Sequence, residues 1–383
     1  MYKPTSQVVH STLSFQQLDF SECSDEFRNS WRELEHDCAA GNVFLSPDYL
    51  GALLQAGMLK QEPIVFAMRN EPTGQMLGVT VLEKVRGTKF LPLPHLISLQ
   101  SPHVYRSGIM VRSGYEQPFF DQMVGYVSSQ SHGLNGIEFK DLDLHSPWVT
   151  QLLLSAQNVD GSFRLYPEYD APVIDYTDFP EEGLESMWSS SRRKTMRRNR
   201  KKLSAFGEVT FRTVTLESEV VSAVEQFLKL EKAGWKGEQG TALACSPQGQ
   251  QFMDHLLTNC LYGNRLVVTQ LLVDDQIAAT ALNLRSGDDL FAFKISWDDR
   301  FQHASPGALH EIELANHMQT HSSVLRVDGC TRDGSYLEQI WPQRNTYGTG
   351  ILSTTMLGRG MGRLLRELQL LKRKTVSKQR LQD

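Results

Sequence analysis

The chain has 383 residues, 40% hydrophobic and 22% charged, a composition that fits a globular protein of two or three domains with a sizeable core. The formal charge of −5 conceals one basic segment, because eight Lys and Arg lie between Arg192 and Lys202 in an otherwise acidic chain. No run reaches the ~18 apolar residues of a membrane span, the first residues lack a secretory pattern, and the five scattered cysteines show no metal-finger spacing. A cytoplasmic protein with reduced thiols, no metal and no membrane span is expected.

In chain order, residues 24–39 predict a helix, with Phe27, Trp31, Leu34 and Cys38 on one face and Gly41 ending it. Ser46-Pro47 opens a second helix carrying Leu50, Leu53 and Leu54. Residues 64–68 and 76–82 are strands separated by Asn70, Pro72 and Gly74, hence a hairpin. Residues 88–112 are rich in Pro and read as irregular. Helix at 115–129, strand at 136–140, helix at 147–157 and extended chain at 163–174 follow, with a linker at 176–180.

The second half repeats this order. A helix at 216–233 precedes Trp235, and Ser246-Pro247 opens a helix 200 positions after Ser46-Pro47. Strands at 265–273 and 276–284 flank a turn at Asp274-Asp275, so a duplicated α+β fold is expected. In 290–297, Leu290, Ala292, Lys294 and Ser296 alternate with Phe291, Phe293, Ile295 and Trp297, the pattern of a strand with one buried face. Ser305 then reads as the N-cap and Pro306 as the first residue of a helix. Its first N–H groups have no internal partner and carry the positive end of the dipole, so the start of this helix suits phosphate, and Gly307 lets a ligand approach the main chain. A strand at 324–327 would place Asp328 at its carboxyl end, where ligands collect in open α/β sheets. Leucines at helical spacing in 361–374 predict a packing helix.

Certain local sequences carry a family likeness. Glu231-Lys232-Ala233-Gly234-Trp235-Lys236-Gly237, Gly240-Thr241-Ala242, Lys294-Ile295-Ser296-Trp297-Asp298 and Ser305-Pro306-Gly307 resemble the CelD-like acetyltransferases, a bacterial branch of the GNAT acyltransferase superfamily. The likeness closes on Asp328-Gly329 and Trp341-Pro342, and that family is similar to the FemABX aminoacyl transferases. It implies two tandem GNAT-like domains, residues 1–178 on the acceptor side and 179–383, each a mixed, largely antiparallel sheet flanked by helices. The implied reaction moves an acyl group, acetyl first, from acyl-CoA to an amine such as an amino sugar or a cell-envelope or exopolysaccharide precursor. One departure is visible at Gln302-His303-Ala304-Ser305-Pro306-Gly307-Ala308. Here the usual glycine-rich phosphate loop is depleted and Pro306 offers no N–H. That departure keeps open an aminoacyl-tRNA-dependent transferase and a degenerate binding or assembly protein.

Acylation of an amine needs a proton acceptor, donors for the developing oxyanion and an acid for the leaving group. Glu231, Lys294 and Asp298 are the candidate catalytic residues. A carboxylate at a helix end opposes the dipole, so Glu231 is either at work or simply solvated. Lys294 in an apolar strand either has a partner, with Asp298 nearest in sequence, or points to solvent. Ser296, Ser305, Gly307 and Ala308 are expected to hold the donor. Trp235, Lys236, Asp328, Trp341 and Arg197 are expected to contact substrate; the alternatives are exposure for Lys236, core for Trp341 and a turn for Asp328. The basic run containing Arg197 suits the phosphates of the donor, of a nucleotide-linked acceptor or of tRNA. It lacks the aromatic residues that stack bases, so DNA is not expected. His310 and His317 have no supporting ligand and form no metal site.

Overall fold

The computed structural model describes residues 13–38, 40–129, 133–214, 216–260, 265–332 and 334–361, and the helix expected at 361–374 falls almost wholly outside them. The first half contains β1 (Leu13–Asp19), α1 (Asp25–Asp37), α2 (Pro47–Gln55), β2 (Ile64–Asn70), β3 (Met76–Val85), β4 (His95–Ser98), β5 (Met110–Val111), α3 (Glu116–Ser128), β6 (Gly136–Asp143), α4 (Val149–Asn158) and β7 (Ser162–Asp175). The second contains α5 (Ser190–Ser204), β8 (Val209–Val214), α6 (Glu217–Ala233), α7 (Trp235–Glu238), α8 (Pro247–Cys260), β9 (Leu266–Val273), β10 (Gln276–Ser286), β11 (Asp289–Trp297), α9 (Pro306–His321), β12 (Arg326–Asp328) and β13 (Arg344–Ser353).

Both Ser-Pro helix starts form for the local reason the sequence gives. Ser46 Oγ accepts the Tyr49 N–H at 3.3 Å and Ser246 Oγ accepts the Gly249 N–H at 3.0 Å, each satisfying a donor the helix itself cannot. The two helices, α2 and α8, then pack against each other, and Asn259 Nδ2 donates to Asp48 O at 3.1 Å across the contact. Phe44, Tyr49, Phe252, Phe291 and Phe293 join one apolar cluster there. Their edge-to-face contacts, such as Phe44–Phe291 at 5.4 Å, fix the approach of the halves.

One mixed sheet crosses the molecule in the order β1-β2-β3-β4-β6-β13-β7-β12-β11-β10-β9-β8, with β5 on β3. Each half repeats the same steps. β1 to β4 are antiparallel neighbours and β4 pairs in parallel with β6; β8 to β11 are antiparallel neighbours and β11 pairs in parallel with β12. Long β7 serves both halves, since its residues 162–172 pair with β13 and Val173, Ile174 and Asp175 pair with β12. The last strand, β13, therefore returns across residue 178 and lies between β6 and β7.

Several expectations change. The Pro-rich stretch 88–112 contains β4, the strand on which the parallel step of the first half depends. Residues 176–180 are no loose linker, because Tyr176 Oη donates to Ala315 O at 2.8 Å and Phe179 is buried. Gly41 does not end α1, which stops at Asp37. A Cβ on Gly41 would lie 2.2 Å from Ser286 O, so glycine is required for the approach of the second half.

Candidate functional site

β11 and β12 pair from Asp289 opposite Arg326 to Phe291 opposite Asp328; there the pairing stops while β11 continues to Trp297. The strands part, and ligands collect at such carboxyl-end openings. On its other edge, β11 skips a residue: Ala292 faces Asn283 and Lys294 faces Leu282, leaving Phe293 as a bulge. Bulges re-aim side chains. Leu290, Ala292 and Trp297 pack on the α9 side and Phe291 and Phe293 on the α6 and α8 side. Lys294 lies within electrostatic reach of Glu231 and Lys236 of the α6–α7 corner. The unbroken alternation expected from the sequence is corrected by this bulge.

Glu231, 1% exposed, has both oxygens engaged. Oε1 is 3.1 Å from Lys236 Nζ and Oε2 accepts the Leu243 N–H at 2.9 Å. Lys236 Nζ also donates to Ile295 O at 2.9 Å, fastening the corner to β11. Lys236 is thus neither free nor simply exposed, and Glu231 is no solvated helix-end carboxylate. Lys294 makes no hydrogen bond or ion pair among the described residues; its ammonium lies 5.5 Å from the centre of the Phe293 ring. Burial, reinforced by Lys236 and opposed by Glu231, pushes its pKa down to about 8. Ser296, buried, shares a small recess with Glu231, Lys236 and Trp297.

Two contributors come from the first half and were not singled out in the sequence. His103 stacks on Phe252 at 5.4 Å, and burial together with the Lys294 charge pushes its pKa down to about 4, so the imidazole is neutral at ordinary pH. Tyr105 lies 5.8 Å from Phe293. Both sit in the stretch read as irregular, where nothing in the local pattern marks them.

At the start of α9, Ser305 adopts a left-handed conformation (φ 54°), and no side chain caps the helix. Ser305 stands at the N-cap position as expected, but its side chain does not cap: its Oγ instead accepts from Asn199 Nδ2 of α5 at 3.3 Å. Pro306 is at the first position as expected. Gly307 serves packing, because a Cβ there would lie 3.1 Å from Trp297 Cε3; Ala308, partly exposed, follows it. The uncapped positive end of α9 is flanked by α5, whose Lys202 Nζ donates to His303 O at 3.1 Å. Arg193, Lys194 and Arg197 line a shallow depression on α5 and form no ion pair among the described residues. Arg200, by contrast, is engaged by Glu185 and Glu313. Helix end and cations together suit a phosphate-bearing group.

Trp235 lines the same recess as Glu231, Lys236 and Ser296, while Asp298, Asp328 and Trp341 are engaged elsewhere. Asp298 pairs with Arg300 at 2.6 Å, not with Lys294. Asp328 is buried and fully engaged: Arg106 Nε and Nη2 donate to it at 2.8 and 2.7 Å, Tyr347 Oη at 2.6 Å and the Cys330 N–H at 2.7 Å. Burial alone would raise its pKa, but Arg106 holds it down to about 2. This carboxylate pins the two halves together while walling a narrow cavity between them. Trp341 is wholly buried and donates to Glu311 O at 3.3 Å, a core role. Trp235 is 44% exposed beside Lys236. No group of three or more possible metal ligands occurs, and no helix is long and apolar enough to cross a membrane, among the described residues.

Residues 190–336 match the family model described as an acetyltransferase (GNAT) domain. The chain carries a GNAT-superfamily acyltransferase domain. Its presence supports acyl transfer in general terms, with a donor of the acyl-CoA class, and the match spans α5, the parting strands and α9. Among solved structures, FemX aligns with a TM-score of 0.54 at 9% identity over 88% of this chain and 96% of its own. The C-terminal DUF2156 domain of an Agrobacterium fabrum protein provisionally assigned as a lysylphosphatidylglycerol synthetase aligns with a TM-score of 0.52 at 13% identity, covering 90% of this chain and 95% of that domain. These likenesses concern the fold. No curated protein sequence matches the chain.

Proposed function

We propose that the chain is a cytoplasmic N-acyltransferase built from two GNAT-like halves, moving an acyl group, acetyl first, from acyl-CoA to an amine. The acceptor class that best fits the resemblance to CelD-like enzymes is an amino sugar or an envelope precursor. The observation that carries this reading is the unpartnered Lys294, on the part of β11 that runs on beyond its pairing with β12 and close to the buried Glu231–Lys236 pair. The uncapped start of α9 and the α5 cations hold the donor phosphates, and Lys294 as an ammonium stabilises the oxyanion as the amine attacks. Neutral His103 receives the amine proton and returns it to the departing CoA thiolate as the thioester C–S bond breaks. Glu231 positions Lys236 and thereby the β11 edge.

Calorimetry with acetyl-CoA tests the reading. The wild type should bind, an Arg193→Ala/Arg197→Ala double variant should bind at least tenfold more weakly, and Lys294→Ala should bind but transfer the acetyl group at least tenfold more slowly, with both variants folded. Unchanged affinity in the double variant would remove the donor site from this place. A second reading, transfer from aminoacyl-tRNA, is favoured by the exposed, unpaired cations of α5. It requires tRNA binding with a steep salt dependence and no acyl-CoA turnover. A chain that binds neither donor is the degenerate, assembly-type protein.

A further inference from the structure

A narrow cavity lies between the halves, on the face of β11 and β12 that looks toward the first half. Asn42, Arg106, Ser107, Asp289, Phe291 and Asp328 are among its walls. It opens into a wider cleft with which it shares Gly41, Asp143, Asp289 and Arg326. Phe291 and Asp328 are also the last pair before β11 and β12 separate, so the cavity reaches the start of that opening.

The charges in the cavity do not cancel. Arg106 is used by Asp328, and Arg326 Nη1 is used by Asp143 Oδ2 at 2.8 Å. Asp289 has no ion pair among the described residues, and its side chain receives a single hydrogen bond, from the Gly41 N–H to Oδ2 at 3.1 Å. Ser107, 8% exposed, lines the same cavity, and its Oγ has no hydrogen-bond partner. Polar atoms buried in this way are costly unless something completes them. At the mouth, Asp175, Asp178 and Asp288 add carboxylates against Arg344 and against Arg285, which stands 3.9 Å from Asp288, so the field still draws cations inward.

We propose that this cleft is an ammonium-binding site: a ligand carrying a primary ammonium group enters past Asp178 and Asp288 and rests against the Asp289 carboxylate and the Ser107 hydroxyl. An ammonium brings three donors and a positive charge. That matches one carboxylate without a cation and one hydroxyl without a partner. Taken together with the acyl-transfer reading, on which this clause rests, the cleft anchors the ammonium at the amino ends of β11 and β12, and the acceptor extends from there past Phe291 to the opening where the strands part. Burial raises the Asp289 pKa to about 6; Arg326 and the Gly41 N–H oppose the rise, and Asp328 and Asp143 add to it.

Titration calorimetry of the full chain with putrescine at pH 7.5, and with the uncharged 1,4-butanediol as control, tests the site. Putrescine should bind and butanediol should not, and Asp289→Asn should weaken putrescine at least tenfold. Asp178→Asn and Asp288→Asn alter exposed residues and leave the core untouched, so they serve where Asp289→Asn fails to fold; each should weaken putrescine and flatten its salt dependence. Absence of putrescine binding, equal binding of butanediol, or unchanged affinity in the variants would overturn the proposal. A separate titration with acetyl-CoA, free of amine, keeps the two readings apart. Amine binding without acetyl-CoA binding leaves the cleft standing and removes the acyl-CoA donor; the reverse removes the cleft.

Discussion

Arg106 and Asp328, 222 positions apart in sequence and one from each half, are joined by two hydrogen bonds of 2.8 and 2.7 Å with both side chains buried. Arg106→Ala leaves the carboxylate buried without its cation, which costs about 3 to 5 kcal/mol. Arg106→Met with Asp328→Leu costs less, because no charge is stranded. Chemical denaturation of the two proteins decides it, and a single variant no worse than the double refutes the pin.

The same pair sets acid stability. The Asp328 pKa is held down to about 2 in the folded protein, below the unfolded value of about 3.9. Its contribution is therefore complete above about pH 4 and is lost as pH falls through about 2, a term of roughly 2.5 kcal/mol by linkage. Replacing Asp328 with Asn should flatten the stability profile in that window. A mutant whose profile still falls as steeply as the wild type would show that other carboxylates dominate.

Glu35 of α1 shows the opposite sign. It meets Arg265 at 3.0 Å across the halves, yet burial raises its pKa to about 7, with Arg265 opposing. Its stabilising effect is complete below the unfolded value near 4.3 and is lost as pH rises through about 7. Glu35→Gln should therefore lose less stability at pH 8 than at pH 5 relative to wild type. Arg265→Met, which leaves Glu35 without its cation while Asp48 keeps Arg32, should be the more damaging change at pH 8. Equal damage from both at pH 8, measured by urea unfolding, would contradict this.

Lys294 links titration to rate. With a pKa of about 8, it is mostly an ammonium at pH 7 and an amine at pH 9. If it stabilises the oxyanion, kcat/KM for acetyl transfer falls as pH rises through about 8, and Lys294→Gln lowers kcat about 10²- to 10³-fold while abolishing that limb. A rate that climbs through pH 8 would make Lys294 a base. Its folded pKa lies below the unfolded one, so the unfolded chain binds more protons between pH 8 and about 10.4, and stability rises there.

Much of the fold was legible where its causes are local. Ser46 and Ser246 cap the helices their Ser-Pro pairs announce, and the repeated order of elements reappears as a repeated order of strands. Glu231, Lys236, Lys294 and Ser296, read from one short likeness and one strand, do come together. The failures have non-local causes. The bulge at Phe293 depends on how β10 pairs with β11, and the fate of Asp328 depends on Arg106. Strand β13 is recruited by a sheet formed some 200 residues earlier. Gly348 and Gly350, which weaken its strand signal, are needed because added Cβ atoms would lie 2.1 Å from Tyr166 O and 2.9 Å from Phe163.

The basic helix α5 separates the two donor readings. Its inner side is fixed by buried Asn199 and Leu203, while Lys194, Arg197 and Arg198 are exposed, so their removal should leave the fold intact. Replacing Arg193, Lys194 and Arg197 with Ala should weaken acetyl-CoA about 10-fold or more, in line with the loss of charge-assisted bonds to phosphate. Because a compact pyrophosphate meets only a few cations, the slope of log affinity against log salt should be shallow. For tRNA the wild-type slope should be steep, and removal of three contacts should reduce it by roughly 2 to 3, at ~0.7 to 0.9 per phosphate. Filter binding and calorimetry across a salt series give both slopes. A triple variant with both slopes and both affinities unchanged would leave α5 without a part in donor recognition.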